Sequence, residues 1–142
     1  MSRLRRPNGD DYPDAACKHM QDARSLLKAR RYDGAGYHAG YVVECVAKTM
    51  LQLEGKLSQK HLAQVGPEAL KLATVATSPA ARYIRAETPL APAIERSKDP
   101  WRPDMRYHPE GYVTKQQGMV WVQEASTLLR NTILQMRLDG VL

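Results

Sequence analysis

Apolar residues recur with the spacing of a helix face in three stretches of the chain, and no alternating polar and apolar run suggests a strand of any length. From Pro13 to Arg31, residues Ala16, Met20, Ala23 and Leu27 follow one another at intervals of four, three and four, which predicts a first helix. Pro13 suits its first turn, and Asp10, Asp11 and Asp14 place negative charge near the positive end of its dipole. Tyr32-Asp33-Gly34 reads as a turn. A second helix is predicted from Ala35 to Leu53, with Ala39, Val43, Val46, Met50 and Leu53 on one face and Gly36, Gly40, Ala47 and Leu51 widening it. Such a broad face predicts a central helix. No strand precedes Gly34, Gly36 and Gly40, and their GxGxxxG spacing departs from a phosphate loop. Gly36 and Gly40 are read instead as a place where another helix backbone comes close.

Residues 55 to 99 are less regular. Gly55 and Gly66-Pro67 punctuate them, a short helix is expected through Leu70 and Ala76, and Ser78-Pro79 can start another through Ala86. Five of the nine prolines fall between Pro89 and Pro109, predicting a long loop. Thr114-Lys115-Gln116-Gln117 then has the T-x-x-Q form of a capping box. Val122, Ala125, Leu129, Ile133 and Met136 make the stripe of a last long helix that ends before Gly140. The expected class is all-α, an up-and-down bundle of four to five helices.

With 142 residues the chain is expected to form one helical domain from residue 13 to 142, preceded by a loose basic arm over residues 1 to 12. No stretch approaches the ~20 apolar residues of a membrane span, and MSRLRRPNGDDYPD lacks the apolar middle of a signal peptide, so a cytoplasmic protein with no membrane partner is expected. Cys17 and Cys45 lie in helical patterns without a CxxC pair and are read as buried free thiols. Lys and Arg number 21 against 15 Asp and Glu, a net charge of +6, which favours a polyanionic partner while leaving open that the charge serves solubility.

The stretch DARSLLKARRYDGAGYHAGYVVECVAKTML, residues 22 to 51, resembles the first helical hairpin of HEPN domains (higher eukaryotes and prokaryotes nucleotide-binding). The resemblance rests on Ala23, Leu26, Leu27, Arg31, Tyr32, Asp33, Ala35, Gly40, Tyr41, Glu44 and Lys48. It extends to PWRPDMRYHPEGY, residues 100 to 112, placed before a long last helix. It implies a helical bundle that assembles as a homodimer, needs no cofactor or metal, and cleaves RNA as a ribonuclease of the toxin or defence type. A small nucleotidyltransferase antitoxin is the partner it implies. Family members mark their catalytic site with an Arg and a His separated by four to six residues. Arg102 and His108, with five between them, match that spacing. Pro103 follows Arg102 where active members frequently carry a polar residue, so a non-catalytic module that binds a nucleotidyltransferase or a nucleotide stands as the alternative.

The chemistry singles out the same two residue types. RNA is cut without metal when its own 2'-hydroxyl attacks the adjacent phosphorus, which requires a group that moves protons near neutral pH and a fixed cation on the phosphoryl oxygens. An unperturbed imidazole titrates near ~6.5, and a guanidinium holds two phosphate oxygens in its planar fork. Arg106 competes with Arg102 for the phosphate, or else pairs with Glu44 as a supporting contact within the bundle. Glu44 and Lys48 have the spacing of a helix-surface ion pair. Tyr107 and Tyr112 either stack on a splayed base or pin the loop to the bundle. By the resemblance Tyr112 is also the nearest match to a tyrosine that a partner transferase modifies. Trp101 and Trp121 are read mainly as packing residues. His19, His38 and His61 have no sequence neighbours at metal-ligand spacing.

Overall fold

The computed structural model describes residues 1–84 and 89–142. Within them the chain is all-helical: α1 (Tyr12–Lys28), α2 (Tyr32–Leu53), α3 (Leu62–Ala73), α4 (Pro92–Arg96), α5 (Lys115–Leu129) and α6 (Gln135–Leu138). A π-helical turn, Arg130–Leu134, joins α5 to α6, and 3-10 turns occupy Pro79–Arg82 and Pro103–Tyr107. No helix among the described residues is long and apolar enough to cross a membrane.

The breadth of the α2 pattern is matched by its burial. Every residue from Val42 to Ala47 is buried, and α2 packs against α1, α3 and α5 at once. From α1 the core takes Ala16, Met20 and Ala23, and from the last helices Trp121, Val122, Ala125, Leu129, Ile133 and Met136. The first turn of α1 is held by Asp11, whose side chain accepts the Asp14 N–H. The Thr114 hydroxyl accepts the Gln117 N–H at the start of α5. The N-terminal segment folds back on the bundle: Asp11 accepts both the N–H and the hydroxyl of Ser2, and Gln52 donates to the Leu4 carbonyl.

Four expectations are corrected. The turn between the first helices falls at residues 29 to 31, and Tyr32-Asp33-Gly34 already belongs to α2. The cause is a left-handed helix end at Arg30, φ 60°, where the Arg31 N–H reaches the Leu26 carbonyl at 2.8 Å and the Arg30 N–H reaches that of Leu27 at 3.0 Å.

The third helix begins at Leu62, runs through Gly66-Pro67 and stops at Ala73 rather than Ala76. Its stripe of Leu62, Val65, Gly66, Ala69 and Leu72 is buried, and that burial outweighs the hydrogen bond Pro67 cannot make. After it, Pro79–Arg82 forms one 3-10 turn capped by Ser78; the far end of the helix expected through Ala86 lies outside the described residues.

The small residues of α2 admit indole rings, not another helix backbone. A Cβ on Gly40 would lie 2.1 Å from the Trp101 ring, and one on Gly36 would lie 3.1 Å from Trp121 and Val113. Finally, Cys45 is buried, which pushes its thiol up to about 12, while Cys17 is only half-buried.

Candidate nucleic-acid interface

The loop that carries the candidate residues is fixed at both ends by α2. At one end the Trp101 indole donates to the Tyr37 carbonyl at 3.0 Å and lies edge-on to Tyr41, with ring centres 4.9 Å apart. At the other, Asp33 receives the N–H of Gly111 on one carboxylate oxygen and that of Val113 on the other, both at 2.7 Å. Between these points Pro103 opens the 3-10 turn, and the Tyr112 N–H closes a tight turn onto Pro109. Gly111 supplies the positive φ of 87° that this turn requires. The turn sets His108 and Tyr112 on its two sides with ring centres 4.2 Å apart.

His108 borders a cleft of about 490 Å³ formed between this loop and the junction of α1 with α2. Arg30, Arg31 and Arg106 border it too, together with Tyr37 and Asp33. The two oxygens of Asp33 are engaged by the loop backbone. Among the described residues none of the three arginines has a carboxylate within ion-pairing distance. Arg106 instead donates to the Tyr37 hydroxyl at 3.4 Å and lies 4.8 Å from the centre of the Tyr107 ring. Tyr107 is 76 % exposed, so one face of this cation–aromatic pair is open to solvent. In the sequence Arg31 figured only in the family resemblance, and Arg30 not at all. Their signal was the basic run at the end of α1, and its meaning depends on the loop folding down beside it.

Arg102 stands elsewhere. It borders a second cleft of about 310 Å³, beside Trp101, Glu95 and Pro100, and its Nε lies 3.3 Å from Asp104. Five residues of 3-10 helix separate it from His108, roughly 10 Å along the axis at about 2 Å per residue. The spacing that makes Arg102 and His108 neighbours in sequence therefore directs them to different clefts within one chain. Tyr112 is half-buried against the core.

Glu44 does not meet Arg106. It is 3 % exposed and receives Lys48 Nζ at 2.9 Å, His61 Nδ1 at 3.2 Å and the Leu62 N–H at 3.2 Å. It is a buried anchor for the start of α3, since an unpaired carboxylate at that depth would be costly and these three donors satisfy it. No known protein family, characterised protein or solved structure matches this chain.

A third group was invisible in sequence. Packing of α1 on α2 brings His19, Asp22 and His38 together, with the two Nδ1 atoms 2.9 Å apart and the three donor groups within 4.8 Å of one another. Burial lowers the pKa of both imidazoles, and for His19 the neighbouring His38 adds to this, which favours their uncharged forms. Tyr41 stacks on His19 with ring centres 5.1 Å apart, and its own hydroxyl is pushed well above the usual tyrosine range by burial and by Tyr37.

Proposed function

We propose that this chain is a HEPN-type, metal-independent ribonuclease of the toxin or defence class, and that RNA lies in the cleft bordered by Arg30, Arg31, Arg106 and His108. The observation that carries the reading is the convergence on one histidine of three arginines that have no carboxylate partner among the described residues. Guanidinium groups track a phosphate backbone and hold phosphoryl oxygens in a planar fork. Imidazole is the side chain suited to moving a proton at neutral pH. The net charge of +6 acts in the same direction by drawing a polyanion toward the surface.

His108 takes the proton of the 2'-hydroxyl as its oxygen bonds to phosphorus. The bond from phosphorus to the 5'-oxygen breaks, that oxygen takes a proton from water and His108 returns its own to solvent, leaving a 2',3'-cyclic phosphate and a 5'-hydroxyl. Arg106 holds the charge that develops on the phosphoryl oxygens. Tyr107, exposed beside it, stacks on a base. Arg102, which borders a different cleft of its own chain, joins the phosphate from the second copy of a homodimer, where two loops meet across the axis.

Cleavage persisting in chelator, with cyclic phosphate ends, is the expected result. His108→Ala should abolish it and Arg106→Ala should lower it by ~10²-fold or more, with helix content unchanged. Unchanged cleavage in the His108 variant overturns the assignment. The pairing of Arg102 with Asp104 favours one further reading, a non-catalytic module whose loop docks a nucleotidyltransferase. Copurification of such a partner, with no cleavage of any RNA tested, would select it.

A further inference from the structure

His19 and Asp22 are three residues apart on α1 and so share one face, and His38 comes to that face from α2. The Nδ1 atoms of the two histidines are 2.9 Å apart, and Asp22 Oδ2 lies 3.9 Å from His38 Nδ1. Zinc bound tetrahedrally at ~2.0–2.1 Å from nitrogen and ~2.0–2.2 Å from oxygen sets its ligand atoms about 3.3 Å apart. The two separations bracket that distance. The third separation, His19 to Asp22, is longer but within 4.8 Å, so side-chain rotations that move the donor atoms by about 1 Å would bring all three onto one ion.

We propose that His19 Nδ1, His38 Nδ1 and the Asp22 carboxylate form a three-ligand site for a zinc-class transition-metal ion that ties α1 to α2. Two imidazoles and one carboxylate suit zinc and its neighbours rather than magnesium or calcium, which take all-oxygen shells. The rings are held in place: Tyr41 stacks on His19, and Tyr37 stands edge-on to His38 at 5.6 Å. The side chains of His38 and Asp22 are 25 % and 48 % exposed, which gives an ion a path in and leaves water to fill the fourth position. Lys18 is the cation whose charge acts on both imidazoles, and the carboxylate of Glu44 is already engaged by Lys48, His61 and Leu62. None of the three ligands borders the His108 cleft. The site therefore does not depend on the nuclease reading, and loss of the ion leaves the cleavage chemistry intact.

Metal-stripped full chain is titrated with zinc against a chromogenic zinc chelator. One zinc per chain is expected, along with a rise in the unfolding temperature. Magnesium should produce neither effect. Asp22→Asn should weaken zinc binding by at least ~10-fold, since loss of even an outer-shell partner commonly costs that much and Asp22 is a direct ligand, and the paired His19→Gln, His38→Gln change should remove it. Should the double variant fail to fold, side-chain nitrogen NMR of the wild-type chain decides. Zinc is expected to move the Nδ1 resonances of two of the four histidines. No zinc uptake at micromolar free metal, equal uptake by a folded double variant, or unmoved Nδ1 resonances would each overturn the site and leave a hydrogen-bonded histidine pair.

Discussion

Replacing Arg30 with glycine should move stability and RNA binding in opposite directions. Arg30 holds the left-handed position that ends α1, at φ 60°, where a side chain on an L-residue costs ~1–2 kcal/mol. Glycine removes that strain, but its greater freedom in the unfolded chain takes back ~0.4–1 kcal/mol. The net gain is about 0.5–1 kcal/mol, a rise in unfolding temperature of roughly 2–4 °C for a domain of this size. The same change deletes one of the three cations of the His108 cleft. For a single strand each phosphate contact contributes a slope of ~0.7 in log affinity against log salt, so the dependence should flatten by about that amount and affinity should fall several-fold. Arg30→Ala is the control, because it loses the charge and keeps the strain. It should bind RNA as poorly as the glycine variant without the gain in stability. Thermal unfolding and fluorescence anisotropy with a short single-stranded RNA across a salt series give both readouts. A glycine variant that melts lower than wild type refutes the account of the helix end. One that binds with the wild-type salt slope removes Arg30 from the interface.

Two further outcomes follow from the packing. Gly40→Ala places a Cβ 2.1 Å from the Trp101 indole, which the ring can accommodate only by leaving α2. The expected cost is ~1–3 kcal/mol with a loss of near-ultraviolet circular dichroism from the tryptophan; an unchanged spectrum and melting temperature would contradict the seating of that ring. Glu95 has one carboxylate oxygen buried without a partner among the described residues, and burial raises its pKa, with the Glu124 charge adding to the rise. A carboxyl raised in the folded state binds more protons there than in the unfolded chain. Its contribution to stability is therefore complete below the ordinary value of ~4.3 and is lost as pH climbs through the raised one. Glu95→Gln should accordingly stabilise the protein by about 1 kcal/mol at pH 7 and lose that advantage below about pH 4, as measured by urea unfolding at both pH values. An equal effect at both would rule out ionisation as the cause.

The long helices were legible because their patterns are local. Met20 and Ala23, or Ala125 and Leu129, lie on one face whatever else the chain does, and the structure buries them. The misplaced turn shows where local signals fail. Tyr32-Asp33-Gly34 has turn composition, yet the left-handed residue is Arg30, a type that gives no such signal. Glycine at 36 and 40 announced a close approach but not its occupant, since Trp101 and Trp121 arrive from far along the sequence. Within the candidate site, the five-residue interval between Arg102 and His108 was visible, but the 3-10 turn that sends them to separate clefts was not. The gathering of His19, Asp22 and His38 depends on the rotation of α1 against α2, which single-helix periodicity does not fix.

The bond from Trp101 to the Tyr37 carbonyl spans 64 residues of chain and ends on a backbone group of α2. Closing a loop of that length costs on the order of 4 kcal/mol in chain entropy, and the surface the indole recognises exists only once α2 is wound. The contact therefore belongs to a late step of folding, after the helical hairpin has formed. Weakening it should hasten unfolding while leaving the folding rate nearly unchanged. The loop from Trp101 to Val113, held through Tyr37 and Asp33, should in this sense open as a unit, its amides exchanging before those of the bundle beneath in a hydrogen-exchange experiment.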